Sequence, residues 1–436
     1  GSTHKFGVLD LIRAGLQDLD MARELLDELR ADGMDDGRLH LLMETLEKTC
    51  DPDIALRNLV DIIKALQSQG RDFRQVITDD EGLVRLVTVL GVSDEMGKLM
   101  RFRPELVMAA ASDSCESHLY NHAQRRAHVL EAVGADPADS SMPKASKPLA
   151  KAATALRQTY RKQLAAIMAQ DTTAEDPIEI QPRISQELSD LADAALEGAL
   201  AIARNEVDGS EHVRFAIIGM GKLGARELNY VSDVDLIYVV EPTDKDTNGM
   251  TLNRVGTKMA TTLQRVCQSV IMGVAEPTLW QIDGGLRPEG KDGPLVRKLE
   301  SHKAYYEQWA ENWEFQALLK ARPVAGDPDL GQAYMDMTRP FVWTASKRDN
   351  FVYDCQQMRK RVEDLIPAPL KDREIKLGRG GLRDVEFTVQ MLQLVHGRAD
   401  ESLRTSSTLE SLRRLAEGGY VSRKQAKKLS WDYRFE

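Results

Sequence analysis

Ser232-Asp233-Val234-Asp235 leads into Asp235-Leu-Ile-Tyr-Val-Val240, a β-branched and aromatic run that reads as a strand. Residues i and i+2 of a strand face the same way, so Asp233 and Asp235 are expected to put two carboxylates on one face. Hard oxygens of this kind suit Mg²⁺, which takes a few carboxylates and fills its remaining positions with substrate phosphate oxygens. A third carboxylate, Asp283, ends Thr278-Leu-Trp-Gln-Ile-Asp283, which reads as another strand. Ahead of them, Val213–Ile218 reads as a strand running into Gly219-Met-Gly221-Lys222-Leu-Gly224, with ten residues between Lys222 and Asp233. Backbone amides at such a glycine turn can cradle phosphate oxygens, and Lys222 can add charge. Three acids from two strands opposite a glycine loop predict a site for two-metal phosphoryl or nucleotidyl transfer.

The same glycines match G-x-G-x-x-G, and Glu241 closes the next strand where a ribose-binding acid would stand. A dinucleotide-binding domain is therefore the competing reading. Against it, the helical stretch of about 222–231 is short for a parallel crossover. That scheme also leaves Asp233 and Asp235 without a role.

The elements around this centre are helical. Residues 8–30, 52–67 and 80–110 carry apolar residues at helical spacing, and a loop rich in Pro, Ser and Asp spans 135–148. A helix at about 253–272 follows the second strand, and the chain after Ser301 is again mostly helical. The expected fold is α+β: mostly helical, with a small mixed sheet. Its expected divisions are a helical region over 1–205, a core over 206–335 and a second helical region over 336–436.

The 436 residues carry 58 Lys and Arg against 68 Asp and Glu, a net charge of −10, which argues against a protein that coats nucleic acid or an anionic membrane. No charge-free apolar run approaches the ~20 residues of a membrane span. Four scattered cysteines, Cys50, Cys115, Cys267 and Cys355, form no zinc-ribbon spacing and suit a reducing cytoplasm. Gly1-Ser2 reads as the remnant of a cleaved tag, so a fragment of a longer chain is expected. His118 and His122, although spaced i, i+4, have no further ligand close in sequence and read as surface histidines. Tyr305, Tyr306, Trp309 and Trp313 read as core packing.

Gly221-Lys222, ten residues, then Asp233-Val-Asp235 resembles the polymerase-β-like nucleotidyltransferase signature. The longer string Ile218-Gly-Met-Gly-Lys-Leu-Gly-Ala-Arg-Glu-Leu-Asn-Tyr-Val-Ser-Asp-Val-Asp-Leu236 resembles the glutamine synthetase adenylyltransferase/adenylyl-removing enzyme family. Asp283-Gly-Gly-Leu-Arg-Pro288, Trp313-Glu-Phe-Gln-Ala-Leu-Leu-Lys-Ala-Arg322 and Ile375-Lys-Leu-Gly-Arg-Gly-Gly-Leu-Arg-Asp-Val-Glu-Phe387 resemble further blocks of it. Gly284-Gly285 departs from the bulkier or basic residues the family has beside its third carboxylate.

The resemblance implies two such catalytic halves in a whole chain, of which this sequence carries one. One half adenylylates a tyrosine of glutamine synthetase with ATP; the other removes the AMP by phosphorolysis and releases ADP. The Arg of Gly380-Gly-Leu-Arg383-Asp-Val-Glu386 resembles the adenylyl-removing version, which is the expected function, with the transferring half as the alternative. Glutamine synthetase as protein substrate, a PII-type signal protein, AMP or ADP and inorganic phosphate are the implied partners. Asp233, Asp235 and Asp283 are then the expected Mg²⁺ ligands. Gly219, Gly221, Lys222, Ser232, Arg287 and Lys376 are the expected nucleotide and phosphate contacts. Arg383 is expected to act on phosphate, and Glu386, three residues on, to orient it or to complete the metal shell. Lys320 and Arg322 are further cationic candidates. The stretch 371–383 is locally basic, with five Lys and Arg against Asp372 and Glu374.

Overall fold

A computed structural model describes residues 6–112, 120–371 and 373–435. His118, Cys115 and Asp372 lie outside the described residues. The contacts gather the chain into two compact units interleaved in sequence: 1–121 with 158–184, and 122–157 with 185–436. No helix among the described residues is long and apolar enough to cross a membrane.

The first unit is helical. Its main helices are Leu19–Ala31, Asp36–Glu47, Pro52–Ser68 and Asp80–Val92. Each begins behind an aspartate, Asp18, Asp35, Asp51 or Asp79, whose side chain accepts from a backbone N–H in the first turn. Such caps satisfy donors that the helix cannot. Some of the acidity of this region therefore serves helix starts. The apolar stripes, including Leu26, Leu29, Leu42, Leu59, Ile63 and Leu86, meet in one buried cluster.

The second unit holds the sheet: β1 (Val213–Met220), β2 (Val234–Pro242), β3 (Ile282–Asp283), β4 (Val296–Arg297) and β5 (Arg322–Gly326). The order is β3-β2-β1-β5, with β4 also on β2. β1 pairs antiparallel with β2 and with β5, whereas β3 and β4 run parallel to β2. The sheet is therefore mixed, as expected. Both central strands are almost wholly buried, because helices cover both faces. Ala216, Ile218, Met220, Ile237 and Val239 meet Phe315, Tyr334 and their neighbours in one core cluster. The helix Gly249–Gln268 buries Leu252, Val255, Met259, Leu263 and Val266. A Cβ at its Gly256 would stand 3.1 Å from Val240, which fixes its close approach to β2.

The structure changes or decides four sequence readings. The helix after β1 is one turn, Gly221–Gly224, not a segment to 231. It stops where Arg226 turns left-handed, with φ of +56°, and its Gly224 packs so closely that a Cβ there would lie 1.9 Å from the Lys320 carbonyl oxygen. Thr278–Asp283 forms regular strand only at Ile282–Asp283. The dinucleotide reading fails on topology: a dinucleotide fold needs parallel strands joined by a crossover helix, and β1 and β2 are antiparallel. Of the aromatic group, Tyr306 is in the core, while Trp309 is 74% exposed.

Candidate active site

The register of three strands builds the acidic centre. Asp235 pairs directly with Asp283 across the parallel β2–β3 ladder, and with Met220 across the antiparallel β1–β2 ladder. Directly paired residues of neighbouring strands project to the same face, and adjacent strands lie roughly 4.8 Å apart. The end of β1 therefore brings the glycine turn to the same place. Gly221 has φ of +54°, and a Cβ there would approach Asp235 Oδ2 to 2.6 Å. Both facts demand glycine: the backbone is left-handed, and the carboxylate occupies the side-chain space. Gly219 is excluded from larger residues by Val324, 2.7 Å from its ideal Cβ.

Burial, and next the negative charge of Asp283, raise the Asp235 carboxyl to about 6, with Arg383 and Lys376 pulling the other way and Asp233 adding to the rise. The arrangement thus gathers Asp233, Asp235, Asp283, Arg383 and Lys376 within electrostatic reach of one another. Asp233 precedes β2 and is exposed. None of the three acids has an ion-pair partner within 4.0 Å among the described residues. Three neighbouring carboxylates with no basic group in contact have the donor chemistry that a divalent ion satisfies, although their oxygens do not all lie within 4.8 Å of one another.

Asp283 is held by its own loop. The Gly285 amide donates to Asp283 Oδ1 at 2.7 Å, and a Cβ at Gly285 would stand 2.9 Å from that oxygen. Of the two glycines that depart from the family pattern, Gly285 lets the backbone fold back onto the carboxylate, and Gly284 makes room for the Arg287 guanidinium, 2.9 Å from its ideal Cβ. Arg287 braces this turn, donating to the carbonyls of Gly284, Lys291 and Gly293. Its guanidinium faces protein carbonyls, a different engagement from the expected phosphate contact. The Ser232 hydroxyl likewise donates to the Asp233 carbonyl at 3.1 Å.

Glu386 and Lys222 sit deeper than the sequence suggests. The helix Leu382–His396 buries Glu386, where Oε1 lies 3.7 Å from Lys320 Nζ and accepts from the Tyr433 hydroxyl at 3.0 Å. Burial alone would raise the Glu386 carboxyl, but Lys320, Lys222 and Arg383 outweigh it and hold the group ionised. No hydrogen bond joins it to Arg383, although the two charges interact. Lys222 lies over the Tyr433 ring, 5.8 Å from its centroid. Burial lowers its ammonium, Glu386 and Glu227 oppose that, and the charges of Lys320 and Lys376 reinforce it. Arg383 and Lys376 remain exposed.

Sequence reasoning missed the supports of this arrangement. The Tyr433 hydroxyl shares its single proton between Glu227 Oε2, at 2.9 Å, and Glu386. Glu227 accepts from the Ser407 hydroxyl and from the amides of Thr408 and Leu409, at the start of the helix Thr408–Glu417. Arg359 pairs with Asp384 and donates to the carbonyls of Leu377 and Gly378, stitching the second glycine loop. Only the three-dimensional fold joins residues so far apart; the one local hint is the apolar spacing of Ala426, Leu429 and Tyr433. Tyr433→Phe is expected to cost about 1–3 kcal/mol, because two buried carboxylates lose their shared donor. Urea denaturation would measure this, and an unchanged midpoint would contradict it.

A second cluster lies away from the acids. His122, Asp190 and Asp193 have donor atoms within 4.8 Å of one another, the only such group of three among the described residues. His122 is exposed at its edge, but Nε2 hydrogen-bonds to Asp193 at 2.9 Å, and its partners come from about 70 residues downstream. Asp193 also takes two hydrogen bonds from Arg322, and Asp190 takes three from Arg226. Guanidinium groups already supply the charge a metal would bring, and Arg322 is engaged there.

Comparison with known proteins gives two family matches. Residues 83–337 match the model described as glutamate-ammonia ligase adenylyltransferase. Residues 356–436 match that described as GlnD PII-uridylyltransferase. The chain is 77% identical over 435 residues to the bifunctional glutamine synthetase adenylyltransferase/adenylyl-removing enzyme of Bifidobacterium longum strain DJO10A, covering 100% of this chain and 40% of that protein. It is 44% identical over 429 residues to the enzyme of that name from Cutibacterium acnes, covering 98% of this chain and 43% of that protein. Its identity to the Streptomyces avermitilis enzyme is 42%, with 98% of this chain and 40% of that protein covered. The chain thus spans about two-fifths of the length of these relatives.

Proposed function

The chain belongs to the glutamate-ammonia ligase adenylyltransferase family, and on that premise we propose that it is the adenylyl-removing half. It would take AMP from an adenylylated tyrosine of glutamine synthetase by attack of inorganic phosphate, releasing ADP. The observation that carries this reading is the direct pairing of Asp235 with Asp283 beside the Gly221 turn, faced by the charges of Arg383 and Lys376.

Asp233, Asp235 and Asp283 would hold Mg²⁺. When bound, the ion neutralises developing charge and stabilises the departing phenolate. The remaining work falls to positioning and charge. Arg383 and Lys376 attract the incoming phosphate to an anionic diester that would otherwise repel it. A phosphate oxygen forms the new bond to the α-phosphorus, and the phosphorus–tyrosine oxygen bond breaks on the opposite side. The phenolate, with an ordinary pKa of ~10, takes a proton from solvent. Glu386, fixed by Lys320 and Tyr433, positions Lys222 and Arg383 by charge rather than by ligation.

A PII-type signal protein is the proposed regulator, and the match of residues 356–436 to a PII-uridylyltransferase model supports it. The reading is tested by incubating the chain with adenylylated glutamine synthetase, Mg²⁺ and phosphate, with and without PII-type protein. ADP release and recovery of synthetase activity are expected. AMP incorporation from ATP into unmodified synthetase, without ADP release from the modified form, would identify the transferring half instead.

A further inference from the structure

Beside the acidic centre lies a cavity of about 320 Å³ that includes Gly221 and Arg383 in its wall. Trp313, Phe387 and Leu286 are among its apolar lining, and Lys320, Arg359 and Glu386 also line it. Pockets of this kind owe their specificity to a few placed polar groups. Here a pair of amides stands out: Gln316 Nε2 donates to Gln390 Oε1 at 2.8 Å. That single bond leaves Gln316 Oε1 as an acceptor and the Gln390 amide as a donor, and neither has another polar partner among the described residues. They come from the helices Asn312–Leu318 and Leu382–His396, which also carry Trp313, Phe387 and Arg383.

We propose that this cavity is a binding site for the adenine base, with Gln316 and Gln390 reading its edge. This rests on the reaction proposed above and names where its nucleotide sits. Adenine presents an amino donor next to a ring-nitrogen acceptor, the complement of the free Gln316 oxygen and Gln390 amide. The other ring of the substrate, the tyrosine phenyl, offers neither once its oxygen is esterified. It would leave both amide groups without water or partner, an unfavourable burial. Guanine has a carbonyl at C6 and a protonated N1, which reverses the donor and acceptor on that edge, and it carries its amino group at C2 instead. Arg383 belongs both to the cavity wall and to the surroundings of Asp235. It therefore marks where the ribose phosphate would pass from the base toward the acids.

Equilibrium dialysis of the full chain in Mg²⁺ against AMP, GMP and ribose 5-phosphate tests the proposal. AMP is expected to bind at least about tenfold more tightly than either competitor. Gln390→Leu and Gln316→Leu should each weaken AMP about tenfold and leave ribose 5-phosphate unchanged, the latter reporting that the site is still folded. Gln390→Glu, which keeps size but loses the donor, should behave like Gln390→Leu. Equal binding of AMP and ribose 5-phosphate, equal binding of AMP and GMP, or variants that lose both ligands alike would each overturn it. Base-selective binding without ADP release would sink the reaction and leave the cavity assignment. ADP release without base selectivity would do the reverse.

Discussion

Asp235→Asn is expected to lower ADP formation by at least about 1,000-fold, the order lost when a preorganised charge at a reacting phosphorus is removed. The fold should not suffer. Asn has nearly the same shape and cannot ionise, so the repulsion between paired Asp235 and Asp283 disappears. Without metal, the variant should therefore melt at or above the wild-type temperature. The sign follows from the raised carboxyl: burial and Asp283 disfavour the charged form in the folded state, so a neutral side chain relieves a cost. Mg²⁺ should reverse the order, because only the wild type gains stability from an ion bound to the native state. Thermal melts with and without Mg²⁺, alongside ADP assays, separate these effects. A variant that turns over normally, or that unfolds without metal, would refute the assignment.

Gly224→Ala should act on the fold instead. Its added Cβ would meet the Lys320 carbonyl oxygen at 1.9 Å and the Gly219 carbonyl oxygen at 2.6 Å. Both obstacles are backbone, so no rotamer change relieves them. Overpacking of this kind costs about 1–3 kcal/mol and sometimes more. For a unit of this size that predicts a melting temperature lower by roughly 2–5 °C. Gly249→Ala is the internal control, because nothing lies within 4 Å of its ideal Cβ at the open start of its helix. Equal melting temperatures for the two variants would contradict the account of the turn.

The comparison of these two glycines shows what the sequence could reveal. The pattern Gly219-x-Gly221-x-x-Gly224 marked a tight turn, but each glycine has its own obstacle: Val324, Asp235 and the Lys320 carbonyl. Those obstacles come from β5, β2 and the end of a helix about 100 residues away, so spacing alone could not separate a phosphate loop from a dinucleotide loop. Strand direction ruled out the dinucleotide fold. The neighbouring positions of Asp235 and Asp283 were legible because carboxylates at strand ends have a short-range signature. The loop contacts of Arg287 were not legible, because a guanidinium that closes its own loop looks, in sequence, like one awaiting phosphate. Glu386 was placed near the site but not at its depth, since its partners Lys320 and Tyr433 are 66 and 47 residues away in opposite directions. His122 looked isolated for the same reason: Asp190 and Asp193 approach it only after folding.

The central claim is that phosphate, not water and not ATP, is the reacting partner at the acidic centre. It is tested most directly by supplying ³²P-labelled inorganic phosphate with unlabelled adenylylated glutamine synthetase and Mg²⁺, and following the label. The account predicts ADP labelled in its β-phosphorus, in amounts equal to the AMP lost from the protein. Release of unlabelled AMP, or no release while ATP modifies the synthetase, would contradict it.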